Sequence, residues 1–116
     1  MYKFEKLKVW DEALKAIKIV YDIINKLPKE ERYGLVDQMR RSVVSIALNL
    51  AEGCGANSDK EFRLFLKISI KSQYETVAGM KIIESLYKLD ISLALRQLET
   101  VGKMLHGLIN SLQSNN

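Results

Sequence analysis

One row of basic residues has the residue types and the spacing that suit contact with phosphates. Its members recur at steps of three and four, which places them on one face of a helix: Lys60, Arg63, Lys67 and Lys71. Tyr74 comes next in the same line. Basic side chains that neutralise phosphates release bound counterions, so the row predicts contact with RNA or DNA. A solvated lysine face that binds nothing has the same spacing, and the sequence leaves both interpretations open.

Arg40 and Arg41 are further candidates for phosphate contact, because a Gly-Cys-Gly motif follows them along the chain. A dinucleotide-binding loop needs a third glycine, where Ser58 stands, and a strand before the loop. Neither is present, so we interpret the motif as the corner between two helices. Gly53 is then predicted to be the left-handed residue that follows a helix, and Ser58 to cap the next helix by accepting from the amide of Glu61.

Few residues in this chain suit metal or nucleophilic chemistry. His106 is its one histidine and Cys54 its one cysteine. A di-iron bundle uses Glu-x-x-His pairs, but Lys103 stands three residues before His106, and a structural zinc site needs about four ligands. Cys54 follows a predicted helix C-terminus, whose partial negative charge disfavours a thiolate. We therefore expect no catalytic site, no metal, no cofactor and no enzymatic activity.

The composition is that of one soluble domain. The chain has 116 residues, of which 47% are apolar and 28% charged, and its formal net charge is +4. This mild basic excess permits a polyanionic partner without requiring one. No apolar run approaches the roughly 18 residues of a membrane span, the N-terminus lacks the apolar core of a signal peptide, and one cysteine cannot form an intrachain disulfide. We therefore predict a cytoplasmic protein without membrane contact.

Apolar residues recur at steps of three and four along most of the chain, which predicts an all-α protein. Helices are expected over residues 6–27, 29–52, 59–89 and 91–112, in a single domain that covers residues 1–116. In the first helix, the predicted apolar stripe consists of Leu7, Trp10, Leu14, Ile17, Tyr21 and Ile24. Long helices joined by short loops favour an up-down-up-down antiparallel four-helix bundle.

The second helix is apolar on almost every side beyond its two arginines. A helix of that kind is usually buried on almost every side, yet each member of a four-helix bundle should keep one face in water. We therefore expect copies of the same chain to cover it in a homo-oligomer. The predicted oligomer interface consists of Val43, Val44, Ala47, Leu48 and Ala51.

Two further rows of residues bear on how the helices pack. A seam of small residues lets a neighbouring backbone come close, and it consists of Ser69, Ser72, Thr76 and Gly79. Polar groups beside so much apolar surface should be paired, because burying them unpaired costs stability. The predicted polar network comprises Arg41, Asn49, Glu52 and Glu75, with Arg40 or Arg41 bonded to Glu75. Alternatively, the arginines simply end the exposed half of the helix.

The chain resembles the four-helix-bundle family named for proteins encoded by intervening sequences in bacterial 23S rRNA genes. Four segments carry the resemblance in order and spacing: "FEKLKVWDEA", "DQMRRSVVSIALNLAEG", "NSDKEFRLFL" and "SQYET". The resemblance extends from Phe4 to about Leu89. One departure is Lys71, which stands where the family usually has a small residue, often Gly, and which lengthens the basic row.

The resemblance implies a cytoplasmic bacterial protein, an up-down bundle and a homopentameric ring. Similar accessory proteins of diversity-generating retroelements are basic and are thought to bind nucleic acid and a reverse transcriptase. Two hypotheses follow. The first is a non-enzymatic oligomer that binds RNA or DNA through its basic residues. The second is a scaffold or accessory subunit that binds a protein partner and has no direct role with nucleic acid.

Overall fold

A computed structural model gives the structure of the chain and describes residues 1–113. These residues form four α-helices, which are α1 Lys8–Ile24, α2 Leu35–Cys54, α3 Asp59–Tyr87 and α4 Ser92–Gln113. Two short 3-10 turns, Lys3–Lys6 and Lys29–Glu31, precede α1 and α2. No strand occurs among the described residues, and the predicted all-α class is confirmed.

The second helix begins later than the sequence predicts. Pro28 has an extended backbone and starts a 3-10 turn, and Gly34 then leaves helical geometry with φ −109° and ψ −107°. The continuous helix therefore starts only at Leu35. Its other end reaches Cys54, two residues beyond the predicted end at Glu52.

The helices pack in the order of the chain. Each of them contacts the next, and α4 returns to contact α1, which closes the bundle. Gln97 on α4 secures this closure by donating from Nε2 to the carbonyl oxygen of Glu12 on α1 at 2.9 Å. The resulting body measures 47 × 21 × 21 Å, so the predicted up-down-up-down bundle is confirmed.

The core buries a different stripe of α1 from the predicted one. The buried residues of this helix are Val9, Ala13, Ala16, Val20, Ile23 and Ile24. Of the predicted stripe only Ile24 is buried, while Leu14 is exposed and Tyr21 is half-buried. Both stripes have helical spacing, but the alanines let α1 approach its neighbours closely. The larger side chains are therefore left at the edge of the helix.

The single chain buries most of α2 by itself, which corrects part of the predicted oligomer interface. Val43 and Ala47 lie in the core of the bundle with almost no exposed surface. They cannot contact another copy while the bundle is intact. The remaining predicted residues are accessible, since Val44 and Ala51 are half-buried and Leu48 is exposed.

Gly53 lies inside α2, so its predicted left-handed conformation is wrong. No glycine among the described residues has a positive φ. Gly53 is buried against the start of α3, where a Cβ would lie 2.8 Å from Cδ1 of Phe62 and 2.9 Å from Cβ of Phe65. Glycine is therefore required at this position because the start of α3 lies too close to α2 for a Cβ. The predicted cap is confirmed, because the Glu61 amide donates to Oγ of Ser58 at 3.1 Å.

We expect Gly53→Ala to lower the free energy of unfolding by about 1–3 kcal/mol, because the added methyl group overpacks the α2–α3 corner. Gly107→Ala is the matched control, since a Cβ there meets no atom within 4 Å. It should raise stability by up to about 1 kcal/mol through helix propensity. Urea unfolding followed by circular dichroism measures both changes. Equal stabilisation by the two substitutions would contradict the close approach.

Candidate nucleic-acid interface

The predicted seam of small residues joins α2 and α3 and is confirmed. Oγ of Ser69 donates to the carbonyl oxygen of Ile46 at 2.7 Å, and the hydroxyl oxygens of Ser45 and Ser72 lie 2.8 Å apart. Such bonds require the two backbones to lie close together. They also turn the opposite face of α3 to solvent, and Lys71, beside Ser72, therefore points outwards without disturbing the approach.

The predicted ion pair between an arginine and Glu75 is wrong. Nε of Arg41 bonds Oδ2 of Asp37 at 3.1 Å, one turn earlier on the same helix. Glu75 instead accepts from Nε2 of Gln38 at 3.4 Å in an exposed position. A partner on the same helix needs no precise distance between helices, which explains why Arg41 takes the nearer carboxylate.

The other members of the predicted polar network do not form one network either. Asn49 bonds back along α2, donating from Nδ2 to the carbonyl oxygen of Ser45 at 2.9 Å. Glu52 is exposed. Arg40 is also exposed and lies over the ring of Tyr21 on α1, 5.7 Å from its centroid. The polar contacts that cross between α2 and α3 therefore come mainly from the hydroxyl side chains of the seam.

We expect Glu75→Lys to change the free energy of unfolding by less than about 1 kcal/mol, because the substitution removes only one long hydrogen bond at an exposed position. The neighbouring Thr76→Val should cost about 1–3 kcal/mol, since it removes a buried hydroxyl that donates to Ser42 at 2.9 Å. Thermal and urea unfolding of the two variants make the comparison. A larger loss for Glu75→Lys would restore a structural role for that carboxylate.

The predicted row on α3 forms a continuous outward face, here called the basic stripe: Lys60, Arg63, Lys67 and Lys71. Its three lysines are exposed and Arg63 is half-buried. Nη1 of Arg63 is enclosed and has no hydrogen-bond partner among residues 1–113. From the rise of 1.5 Å per residue in a helix, the stripe spans about 16 Å.

The side chains of the basic stripe form no salt bridge among residues 1–113. The salt bridges found within residues 1–113 all lie on other helices, and they join Lys15 to Glu12, Arg41 to Asp37 and Lys103 to Glu99. Arg40 and Arg41, predicted as further phosphate contacts, belong to α2 and do not join the stripe. Arg40 faces α1 and Arg41 is paired, so the structure separates the two groups of cations.

A recess between α3 and α4 lies at the end of the basic stripe and was not predicted from the sequence. It has a volume of 240 Å³ and is lined by Gln73, Tyr74, Val77, Lys81, Leu95 and Glu99. Tyr74 and Lys81 are exposed and continue the outward face of α3. Their spacing from Lys71 was visible in the sequence, but the wall supplied by α4 appears only once the helices are packed.

Apolar side chains that are exposed or half-buried lie at one level of the bundle on three successive helices. This set is called the apolar belt: Leu14 and Ile17 on α1, Val44 and Leu48 on α2, and Leu64 and Ile68 on α3. The contact of Arg40 with Tyr21 places Val44 level with Ile17, one turn further along each antiparallel helix. The bond between Ser69 and Ile46 likewise places Ile68 level with Leu48.

The described residues offer little for acid–base, nucleophilic or metal chemistry. Burial raises the pKa of the Cys54 thiol above its ordinary value, so the reactive thiolate is disfavoured. Within residues 1–113 there is no group of three or more His, Cys, Asp or Glu side chains that could hold a metal ion. The chemistry that the surface does supply is positive charge beside exposed apolar and aromatic groups.

None of the helices formed by residues 1–113 has the length and apolar character needed to cross a membrane.

The sequence profile of the 23S rRNA-intervening sequence protein family matches residues 5–107. The chain belongs to this family. Its fold is similar to the crystal structure of an S23 ribosomal protein family member from Bacteroides thetaiotaomicron, a protein of unknown function. The two share 24% sequence identity over 91% of this chain and 95% of the other, with a TM-score of 0.61.

None of the curated proteins matches this member of the family. Family membership confirms the resemblance that the sequence carries, and the similar structure supports the bundle fold. The name of the family refers to an intervening sequence in rRNA and names no activity.

Proposed function

We propose that this protein is a non-enzymatic, cytoplasmic homo-oligomer that binds RNA or DNA through the basic stripe of α3. The observation that carries the proposal is the row of cations on one outward face of α3. Its cations follow one another at helical spacing, and none of them takes part in a salt bridge found within residues 1–113. Like charges at this spacing repel one another and weaken a helix by a few tenths of a kcal/mol per pair.

A polyanion would relieve this repulsion. Nucleic acid presents phosphates at intervals of a few ångströms along each strand, and lysines and arginines that bind them release condensed counterions. Arg63 is the one arginine of the stripe. Its planar guanidinium suits the geometry of a phosphate better than an ammonium group does.

Self-association is the part of the proposal that the apolar belt supports. A soluble monomer rarely leaves contiguous apolar patches larger than a few hundred Å² in water, and copies of the same chain could cover the belt. Leu48 and the other belt residues lie around the outer face of α2, whereas the basic stripe leans towards α4 through Tyr74 and Lys81. Covering the part of the belt on α1 and α2 therefore leaves the stripe free. Five copies, the number expected from the resemblance, would combine several moderate stripes into one strong field.

The basic stripe can be tested by neutralising all four of its residues to Gln. We expect a single-stranded oligonucleotide to bind the unmodified protein with a log–log salt slope of about −3 per protomer, given four phosphate contacts. The variant should lose at least tenfold in affinity at about 100 mM salt, and its slope should approach zero. Fluorescence anisotropy over a salt series measures both quantities.

The matched control changes the same net charge at exposed lysines elsewhere: Lys6, Lys8, Lys18 and Lys29, each replaced by Gln. This variant should retain most of the affinity, because its lysines do not lie on the stripe. An equal loss in both variants would show that only net charge matters. Equal binding by the stripe variant and the unmodified protein would overturn the proposed function.

The apolar belt can be tested with two leucines of similar exposure, Leu48 at 54% and Leu93 at 56%. We expect the unmodified protein to be an oligomer in size-exclusion chromatography with light scattering. Leu48→Glu should release the 13.3 kDa monomer, because it places a charge in the belt, and Leu93→Glu on α4 should not.

The alternative function, a scaffold or accessory subunit that binds another protein, is favoured by the same belt. It would be the better account if the unmodified protein were a monomer at high concentration, since the belt would then be free for a different partner. A partner protein recovered from nuclease-treated lysate by the unmodified protein, and lost with Leu48→Glu, would support this alternative.

A further inference from the structure

We infer that the ligand of the basic stripe is a single-stranded nucleic acid and that one of its bases stacks on Tyr74. The inference rests on the proposed function, because it assigns a ligand class to the same surface. It depends on three features that lie together: an exposed aromatic ring, a small recess beside that ring, and cations on both sides of it.

The ring of Tyr74 is available to a ligand. Its exposed fraction is 65%, and it lies in the line of the stripe, just beyond Lys71. The ring stacking and cation–π contacts found within residues 1–113 all involve other aromatic residues. A flat hydrophobic face therefore remains in water, where it gains free energy when another flat ring covers it.

The recess beside Tyr74 has the size and lining for one flat ring. Its volume of 240 Å³ lies below the roughly 300–1,000 Å³ of pockets for drug-sized ligands. Val77 and Leu95 supply half-buried apolar walls. Gln73 is held in place because its Nε2 donates to the carbonyl oxygen of Leu98 at 2.9 Å. The carboxylate of Glu99 at the rim is paired with Nζ of Lys103 at 3.3 Å, which reduces its repulsion of a phosphate.

Cations flank the ring along the helix axis. At 1.5 Å per residue, Lys71 lies about 5 Å to one side of Tyr74 and Lys81 about 10 Å to the other. A strand whose base rests on Tyr74 could therefore place phosphates near a lysine in both directions. Single-stranded nucleic acid is generally bound by this combination of a cationic track and an aromatic platform.

A duplex would not use this arrangement. Its bases are already stacked on one another, and taking one out costs a few kcal/mol. A duplex could contact the stripe through phosphates alone and would gain nothing from Tyr74. The geometry thus predicts a preference for single strands that depends on the aromatic ring, whereas charge attraction alone predicts no such dependence.

The test compares Tyr74→Leu, Tyr74→Phe and the control Tyr33→Leu, which alters a tyrosine with an exposed fraction of 87% outside the stripe. The probes are a single-stranded oligonucleotide containing 2-aminopurine, the same sequence as a duplex, and inorganic polyphosphate. We expect Tyr74→Leu to weaken single-strand binding roughly 5- to 100-fold, as loss of one stacked base does. Tyr74→Phe and Tyr33→Leu should bind like the unmodified protein.

The other readouts separate stacking from charge. Quenching of 2-aminopurine emission should disappear in Tyr74→Leu alone, and affinity for polyphosphate, which has charges but no bases, should not change. If Tyr74→Leu binds single strands normally, or if the duplex binds as tightly as the single strand, the inference is overturned. The proposed function survives that result as long as the fourfold stripe variant still loses binding.

Discussion

The close approach of α2 and α3 is the constraint on which the rest of the structure depends. Hydroxyl side chains along the seam bond across the interface or to the opposite backbone, as Ser69 does to Ile46 and Thr76 to Ser42. These bonds fix the rotation of α3 about its own axis as well as its distance from α2. Once that rotation is fixed, Lys67 and Lys71 must face water, because they lie on the side opposite the seam.

The same packing gives the bundle two surfaces of different chemistry. The apolar belt lies around the outer face of α2, and the basic stripe continues towards α4 into the recess beside Tyr74. The two surfaces adjoin on α3, where Leu64 of the belt lies one turn from Lys60 and Lys67, and they diverge towards α2 and α4. Self-association through the part of the belt on α1 and α2 therefore need not compete with ligand binding at the stripe.

The periodicity of the sequence predicts which residues share a face but not which of two adjacent faces turns inwards. On α1, the stripe with Ala13 and Ala16 is buried, and the stripe with the larger Leu14 and Tyr21 is not. Fold class was predictable from the helical spacing of the apolar residues, and the seam from the small residues that recur at that spacing on α3. The partner of Arg41 was not predictable, because several carboxylates lie within reach and only the packing of the helices decides which of them it bonds. Gly53 was assigned to a turn because spacing alone does not show contact with Phe62.

The basic stripe was predictable because all of it lies on one helix, whereas the recess beside it needs α3 and α4 together. The most direct test of the whole account is ultraviolet cross-linking of a single-stranded oligonucleotide to the protein, with the adducts located by mass spectrometry. Adducts should fall within residues 60–81, centred on Tyr74. Adducts confined to α1 or to the arginines of α2 would contradict the account, because those residues lie outside the basic stripe.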